Sequence, residues 1–118
     1  MHLEVGRNAE EQALAYLAKH GLKLVQRNYY CRMGEVDLIM RDGDYLVFIE
    51  VRSRSNQYYG DGAVSITRSK QQKIMKTALH YVQSHRLQDK VPLRFDVLSV
   101  DGATGGLNWI KNAFGADY

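Results

Sequence analysis

Apolar and polar residues alternate with two different periods along this chain, and the change of period separates predicted helices from predicted strands. In residues 8–21, apolar side chains recur at the three- and four-residue spacing of an amphipathic helix. Asn8 is a candidate N-cap for this helix, and Gly21 stands where it would end. Residues 22–28 then form a predicted strand, and residues 34–53 form a predicted hairpin.

The second half of the chain contains one more helix and two more strands. Residues 53–67 hold two glycines, two tyrosines and little periodicity, which predicts a loop. Thr67 is positioned to cap the second helix. The apolar face of that helix comprises Ile74, Ala78, Tyr81 and Val82. Two strands and a frayed tail follow at 93–100, 107–110 and 111–118. The order α-β-β-β-α-β-β predicts an α/β sheet without the strict alternation of a doubly wound fold.

A glutamate, Glu50, stands in the middle of the apolar run 47–52, which reads as a buried strand. A carboxylate buried there without a partner would cost several kcal/mol, so a compensating group is expected. The Asp42-Gly43 turn signal predicts that residues 41 and 44 pair across the hairpin. Glu35 would then face Glu50 directly, with Asp37 as the diagonal neighbour of Glu50.

Two explanations for this acidic group remain open from the spacing alone. Because alternate residues of a strand share a face, Glu35, Asp37, Glu50 and Arg52 are expected on one side of the hairpin. A divalent ion could lie between the acids, and ligands made only of oxygen favour Mg²⁺ or Mn²⁺ over zinc. Salt bridges from Arg52 or Arg94 are the structural alternative.

Glu10, in the first predicted helix, is a further candidate. It precedes the apolar stripe residues Ala13, Leu14 and Leu17 by three, four and seven positions, so it lies on or beside the stripe. The alternative is an acid in the first turn that is favoured by the helix dipole.

Composition narrows the class of protein. With 118 residues, 45% apolar and 25% charged, the chain is predicted to be one ordinary globular domain over residues 1–118. The first twelve residues lack the apolar region of a signal peptide, and no apolar run approaches the roughly 18 residues that span a bilayer. We therefore expect a cytoplasmic protein with no membrane partner. Cys31 is the single cysteine and is interpreted as a bystander.

Positive charge is concentrated in one span of the chain. Between Arg52 and Lys76 there are six basic side chains and one acidic side chain, giving +5, whereas the whole chain carries +3. A basic face of this kind suits a phosphate backbone. A solvated helix face is an equally good interpretation of the charge alone.

The hairpin sequence "GEVDLIMRDGDYLVFIEVRSR" resembles the signature of the YraN family, small bacterial proteins similar to archaeal Holliday-junction resolvases of the PD-(D/E)xK nuclease superfamily. The likeness extends over most of the chain, through "AEEQALAYL", "RSKQQKI" and "RFDVLSV". It implies a restriction-endonuclease-like fold, in which helices flank a mixed central sheet. It also implies an endonuclease that requires Mg²⁺ or Mn²⁺ and hydrolyses DNA phosphodiester bonds, with branched DNA among the expected substrates.

The resemblance also assigns roles to individual residues. Asp37, Glu50 and the carbonyl of Val51 would bind the metal, and Glu10 matches a glutamate that resolvase-like members use on the first helix. Glu35 belongs to the signature without an assigned role. The side chains expected to bind nucleic acid are Arg54, Arg68, Lys70 and Lys73. Lys70 and Gln71 begin the second helix and could either approach the site or remain in solvent.

Arg52 departs from the superfamily pattern, which has a lysine at this position. Arginine effectively cannot lose its proton, so Arg52 is not expected to act as a general base. It could still bind the scissile phosphate through its planar fork of donors.

Three functions are therefore consistent with the sequence: a metal-dependent nuclease, a non-catalytic nucleic-acid-binding module with the nuclease fold, and a protein-interaction domain. Tyr58 and Tyr59 are candidates for stacking on unpaired bases or for packing in a homodimer.

Overall fold

The computed structural model describes residues 2–54 and 66–115, and the side chains of residues 2–8 and of Arg54 lie outside the described part. The elements are α1 (His2–Lys19), β1 (Lys23–Cys31), β2 (Gly34–Asp42), β3 (Tyr45–Arg54), α2 (Arg68–Ser84), β4 (Leu93–Asp101) and β5 (Leu107–Phe114). Their order confirms the predicted α/β arrangement. Most of the predicted loop, including Tyr58 and Tyr59, falls in residues 55–65, outside the described residues.

The five strands form one mixed sheet in the order β1-β2-β3-β4-β5. Only β3 and β4 are parallel, and α2 lies in the connection between them, as a parallel crossover requires. One face of the sheet packs against α1 in a cluster that includes Leu17, Leu38 and Val47. The other face packs against α2 through Phe48 and Tyr81, among others. The sheet is therefore covered by one helix on each face.

The hairpin register differs from the prediction. The observed pairs run from Asp42↔Tyr45 to Leu38↔Ile49, so the turn residues are Gly43 and Asp44. Gly43 has φ 61°, a left-handed conformation that two-residue hairpin turns commonly place on glycine. Continuing this ladder by one position puts Asp37 directly opposite Glu50. The predicted Glu35–Glu50 pair is wrong, because the turn uses glycine as its first residue and not its second.

Two element boundaries also differ from the prediction. Helix α1 begins at His2, so Asn8 lies inside the helix and is not its N-cap. No proline precedes Asn8 to stop the helix. Strand β5 continues to Phe114, which pairs with Phe95, so residues 111–114 of the predicted tail belong to a strand beside β4. As far as the structure describes them, both helices lack the length and apolar character that crossing a bilayer would require.

The predicted cap of α2 is confirmed. Thr67 has extended backbone angles, and its hydroxyl accepts a hydrogen bond of 3.1 Å from the Lys70 amide. This bond satisfies one of the free N–H groups at the start of the helix. The buried face of α2 contains the four predicted residues and also Thr77. The helix start is therefore fixed close to the end of β3, where the acidic residues lie.

Candidate functional site

Asp37 and Glu50 lie at the end of the β2–β3 hairpin farthest from its turn. The last ladder pair is Leu38↔Ile49, and just beyond it the Val51 amide donates a hydrogen bond of 2.8 Å to Asp37 Oδ2. Both acids line one cleft with a volume of about 340 Å³. The other lining residues are Gly34, Glu35, Val51, Lys70, Lys73 and Ile74. The predicted grouping of Glu35, Asp37 and Glu50 is thus confirmed, although the register is different.

A distortion of β1 changes the direction of side chains next to Asp37. In β1, Asn28 has φ 51°, and the flanking pairs Arg27↔Leu38 and Tyr29↔Val36 put it opposite Asp37. Before this point Arg27 contacts α1, and after it Tyr29 packs against the α2 side of the sheet. Val36 follows the same change and joins the cluster around α2, whereas Leu38 belongs to the cluster around α1. Strict alternation is therefore lost at the point where the β2–β3 ladder ends.

The Asp37 carboxyl is held in an environment that opposes its ionisation. Its pKa is raised from 3.8 to about 7, with burial as the largest cause and the negative charge of Glu50 as the next. The Val51 amide acts in the opposite direction, because its hydrogen bond favours the ionised form. Glu10 and Glu35 raise the pKa further. A cation placed between Asp37 and Glu50 would remove most of this unfavourable charge.

Glu50 is 7% exposed and is paired with a lysine. Lys70 Nζ lies 2.8 Å from Glu50 Oε2, reaching it from the first turn of α2. Gln71, the next residue, turns away and donates a hydrogen bond of 3.0 Å to the Ile66 carbonyl. Of the two polar residues predicted at this helix start, Lys70 reaches the acidic cleft and Gln71 forms a hydrogen bond with the backbone.

Glu10 lies near the acidic pair without lining the cleft. Because α1 begins at His2, Glu10 is in the interior of the helix, and the alternative of a first-turn acid is wrong. Its Oε1 atom is 4.0 Å from the Arg27 guanidinium, which pairs more closely with Glu11 at 2.7 Å. Its negative charge nevertheless contributes to the raised pKa of Asp37.

Of the basic candidates, Lys70 and Lys73 line the cleft. Arg52 is half-buried in β3, two residues after Glu50. Arg68 is exposed at the first residue of α2. The side chain of Arg54 lies outside the described residues.

A second buried acid, Asp96, was missed by the sequence analysis. It is fully buried, and Arg94 binds it through two hydrogen bonds of 2.9 Å. The Trp109 indole and the Asn112 amide each donate a further bond of 3.0 Å. The same arginine pairs with Asp42 at 2.9 Å, so Arg94 does not neutralise Glu50 as the alternative supposed. An aspartate inside the apolar run of β4 was the available signal, as the glutamate was in β3.

The donor atoms of the cleft suit a small oxygen-binding cation. Within residues 2–54 and 66–115, no group of three or more His, Cys, Asp or Glu side chains is arranged to hold a metal ion. Mg²⁺ commonly uses only one or two carboxylates and completes its shell with water and substrate phosphate. The carboxylates of Asp37 and Glu50 meet that requirement, and among the residues that the structure describes, those lining the cleft include no cysteine or histidine to favour zinc.

The fold and site together define an α/β domain with an acidic pair at the end of a hairpin and lysines from a capped helix beside it. The model of the uncharacterised protein family UPF0102 matches residues 9–100. The chain belongs to this YraN-like family.

Relatives match almost the whole chain. A UPF0102 protein of Legionella pneumophila (strain Corby) is 58% identical over 116 residues, covering 98% of both chains. A UPF0102 protein of Nitrosospira multiformis is 52% identical over 114 residues, covering 96% of this chain and 94% of its own. One from Pseudomonas fluorescens (strain Pf-5) is 46% identical over 112 residues, covering 92% and 91%. These names state the family and no activity.

Proposed function

We propose that this protein is a metal-dependent endonuclease that hydrolyses DNA phosphodiester bonds, with the restriction-endonuclease-like fold of the PD-(D/E)xK superfamily. The observation that carries the proposal is the Asp37–Glu50 pair, two carboxylates that line one cleft where β2 and β3 part. The mixed sheet with one helix on each face is compatible with that fold. Branched DNA is the substrate class we expect, in the cytoplasm, and a homodimer is the expected assembly.

In this proposal Asp37, Glu50 and the carbonyl of Val51 hold Mg²⁺ or Mn²⁺. Bound there, such an ion supplies Lewis-acid stabilisation of phosphate charge and lowers the pKa of water. The Val51 amide positions Asp37 through its 2.8 Å hydrogen bond. Glu10 adds negative charge near Asp37, which strengthens attraction for a cation.

In this proposal the basic side chains bind phosphate groups of the DNA. Arg52 follows Glu50 by two residues and would bind the scissile phosphate through its guanidinium. Lys70 and Lys73 adjoin the cleft, and together with Arg54 and Arg68 they would bind flanking phosphates of the DNA backbone. Contacts of this kind recognise the shape and charge of DNA and carry no direct base readout.

Cleavage assays test the proposal. Junction, flap and duplex DNA are incubated with the native chain in Mg²⁺ and in Mn²⁺, alongside Asp37→Asn, Glu50→Gln and the control Asp44→Asn at the hairpin turn. We expect the control to cut like the native chain and the two site variants to lose at least about 100-fold in rate, the scale of losing a central electrostatic group. Equal cutting by all four proteins would show that the activity belongs to another site or to a contaminant.

The identity of Arg52 favours a second candidate function, a nucleic-acid-binding module that keeps the nuclease fold without cleavage. An arginine cannot act as the base that a lysine provides. DNA binding that weakens steeply with salt, without cleavage in any divalent ion, would support this function. Cleavage that appears or rises in Arg52→Lys would instead identify a weakened enzyme.

A further inference from the structure

Two buried carboxylates of this protein are neutralised in different ways. Asp96 is 0% exposed, and the two-pronged guanidinium of Arg94 that binds it is only 12% exposed. Glu50 is 7% exposed, yet its partner Lys70 has a side chain that is 56% exposed. The first ion pair is enclosed by protein. The second is open to water on the side of its lysine.

Because of this difference, the Lys70 ammonium can leave its carboxylate more easily than the Arg94 guanidinium can. Lys70 holds Glu50 through a single ammonium on a flexible stem, and water would solvate that ammonium as soon as it moved away. Glu50 is not free in the same way, because a buried carboxylate without a partner is strongly unfavourable. Lys70 can therefore leave Glu50 at small cost only when another cation replaces it.

The charge in the cleft favours such a replacement. Asp37 and Glu50 carry two negative charges when both are ionised, and the ammonium of Lys70 offsets one of them. A divalent cation would offset both. Lys73 lines the same cleft, so a phosphate that bound the displaced ammonium would have a second positive side chain nearby.

We propose that Lys70 is an exchangeable counter-ion of Glu50. It neutralises the carboxylate in the metal-free protein, gives it up when a divalent ion binds, and then joins Lys73 in binding a DNA phosphate. This inference rests on the proposed function and adds an order of binding events to it. The ion binds first, and its binding frees a lysine that can bind phosphate. By linkage, divalent ions and DNA strengthen the binding of each other.

Calorimetric titration with Mn²⁺ tests the exchange on the native chain, Lys70→Met, Lys70→Arg and the control Lys73→Met. Lys70→Met removes the competing charge, and we expect Mn²⁺ to bind about fivefold more tightly. Lys70→Arg offers Glu50 a two-pronged partner, so we expect several-fold weaker binding. Lys73→Met, which removes an equal charge from the same cleft, should change the affinity less than about twofold.

A second readout is the affinity for a hydrolysis-resistant phosphorothioate duplex in the presence of Mn²⁺. Here Lys70→Met should bind several-fold more weakly than the native chain, although it holds Mn²⁺ more tightly. A third readout needs no metal. Lys70→Met should lower the unfolding temperature of the metal-free protein, and it should have little effect when Glu50→Gln is already present.

The outcomes separate this inference from the proposed function. Mn²⁺ binding by the native chain with no tightening in Lys70→Met, or with equal tightening in Lys73→Met, would overturn the exchange and leave the metal site in place. Absence of Mn²⁺ binding in the native chain and in Lys70→Met would overturn both. Additive effects of Lys70→Met and Glu50→Gln on unfolding would also overturn the role of Lys70 as counter-ion.

Discussion

The Val51 amide donates a 2.8 Å hydrogen bond to Asp37 Oδ2 one step beyond the last pair of the β2–β3 ladder. The Asp37 side chain thus accepts a hydrogen bond from β3 just beyond the point where the backbone pairing of β2 and β3 ends. The bond holds Asp37 beside Glu50 even though β2 is already leaving β3. This relationship between a backbone donor and an acid creates the cleft and places two like charges in it.

The metal-free protein should lose stability as the pH rises toward 7. The pKa of Asp37 is raised from 3.8 to about 7 in the folded state, chiefly by burial and then by Glu50. The folded state therefore retains a proton that the unfolded chain releases, and stability falls as the pH increases between these two values. The shift sets an upper limit of roughly 4 kcal/mol on the loss. Urea unfolding between pH 4 and 8 measures it, and Asp37→Asn should remove most of the slope.

Removing Arg94 should lower the free energy of unfolding far more than removing the half-buried Arg27. Arg94→Met leaves Asp96 as a buried charge without its main partner, at a cost of about 3–5 kcal/mol. Arg27→Met breaks a more exposed pair with Glu11 and should cost less than about 1 kcal/mol. Chemical denaturation compares the two variants. Equal costs would show that the Asp96 network does not stabilise the sheet as described.

Gly34, the first residue of β2, should tolerate an added side chain poorly. Gly34 has φ 149°, and an added Cβ would lie 3.3 Å from Thr77 Oγ1 on α2. Gly21 also has a positive φ, of 94°, but an added Cβ there meets no atom within 4 Å. Thermal unfolding should show Gly34→Ala to be less stable than Gly21→Ala, with a loss of about 1–3 kcal/mol. A larger loss in Gly21→Ala would contradict the close packing of Gly34 on α2.

DNA affinity should depend on the lysine and arginine side chains near the cleft. Arg68→Gln and Lys73→Gln should each weaken binding and reduce the slope of log K against log salt by about 1. Lys23→Gln, at the start of β1, serves as the control and should change neither quantity. Fluorescence anisotropy at several salt concentrations measures both. An equal change in the control would indicate attraction to the net charge of the protein and not to this surface.

The order of the elements and the grouping of the acids could be predicted from residue patterns, whereas the contacts between elements could not. The hairpin signal was correct but ambiguous, since Asp42-Gly43 and Gly43-Asp44 are both acceptable turns. The observed register moved each partner by two residues, and an even shift keeps Asp37 and Glu50 on the same face of the hairpin. For that reason Asp37 and Glu50 remained together in spite of the wrong register.

Other features depend on distances that periodicity does not contain. Lys70 reaches Glu50 because the first turn of α2, which Thr67 caps, packs beside β3 in the folded protein. The Asp96 network requires the pairing of β4 with β5, which brings Trp109 and Asn112 to one carboxylate. The reversal of side-chain direction at Asn28 arises from the positive φ of this residue. Asparagine can adopt a positive φ but usually does not, so the sequence alone does not predict the reversal.

We propose that a divalent cation binds between Asp37 and Glu50. Calorimetric titration of Mn²⁺ into the native chain, Asp37→Asn, Glu50→Gln and the control Asp44→Asn tests this proposal. We predict one Mn²⁺ site in the native chain and in the control, and Mn²⁺ binding at least about tenfold weaker in the other two variants. The Mn²⁺ affinity of the native chain should rise with pH up to about 7, because Asp37 loses its proton over that range. Absence of Mn²⁺ binding at pH 8 in the native chain, or equal binding in all four proteins, would contradict the account.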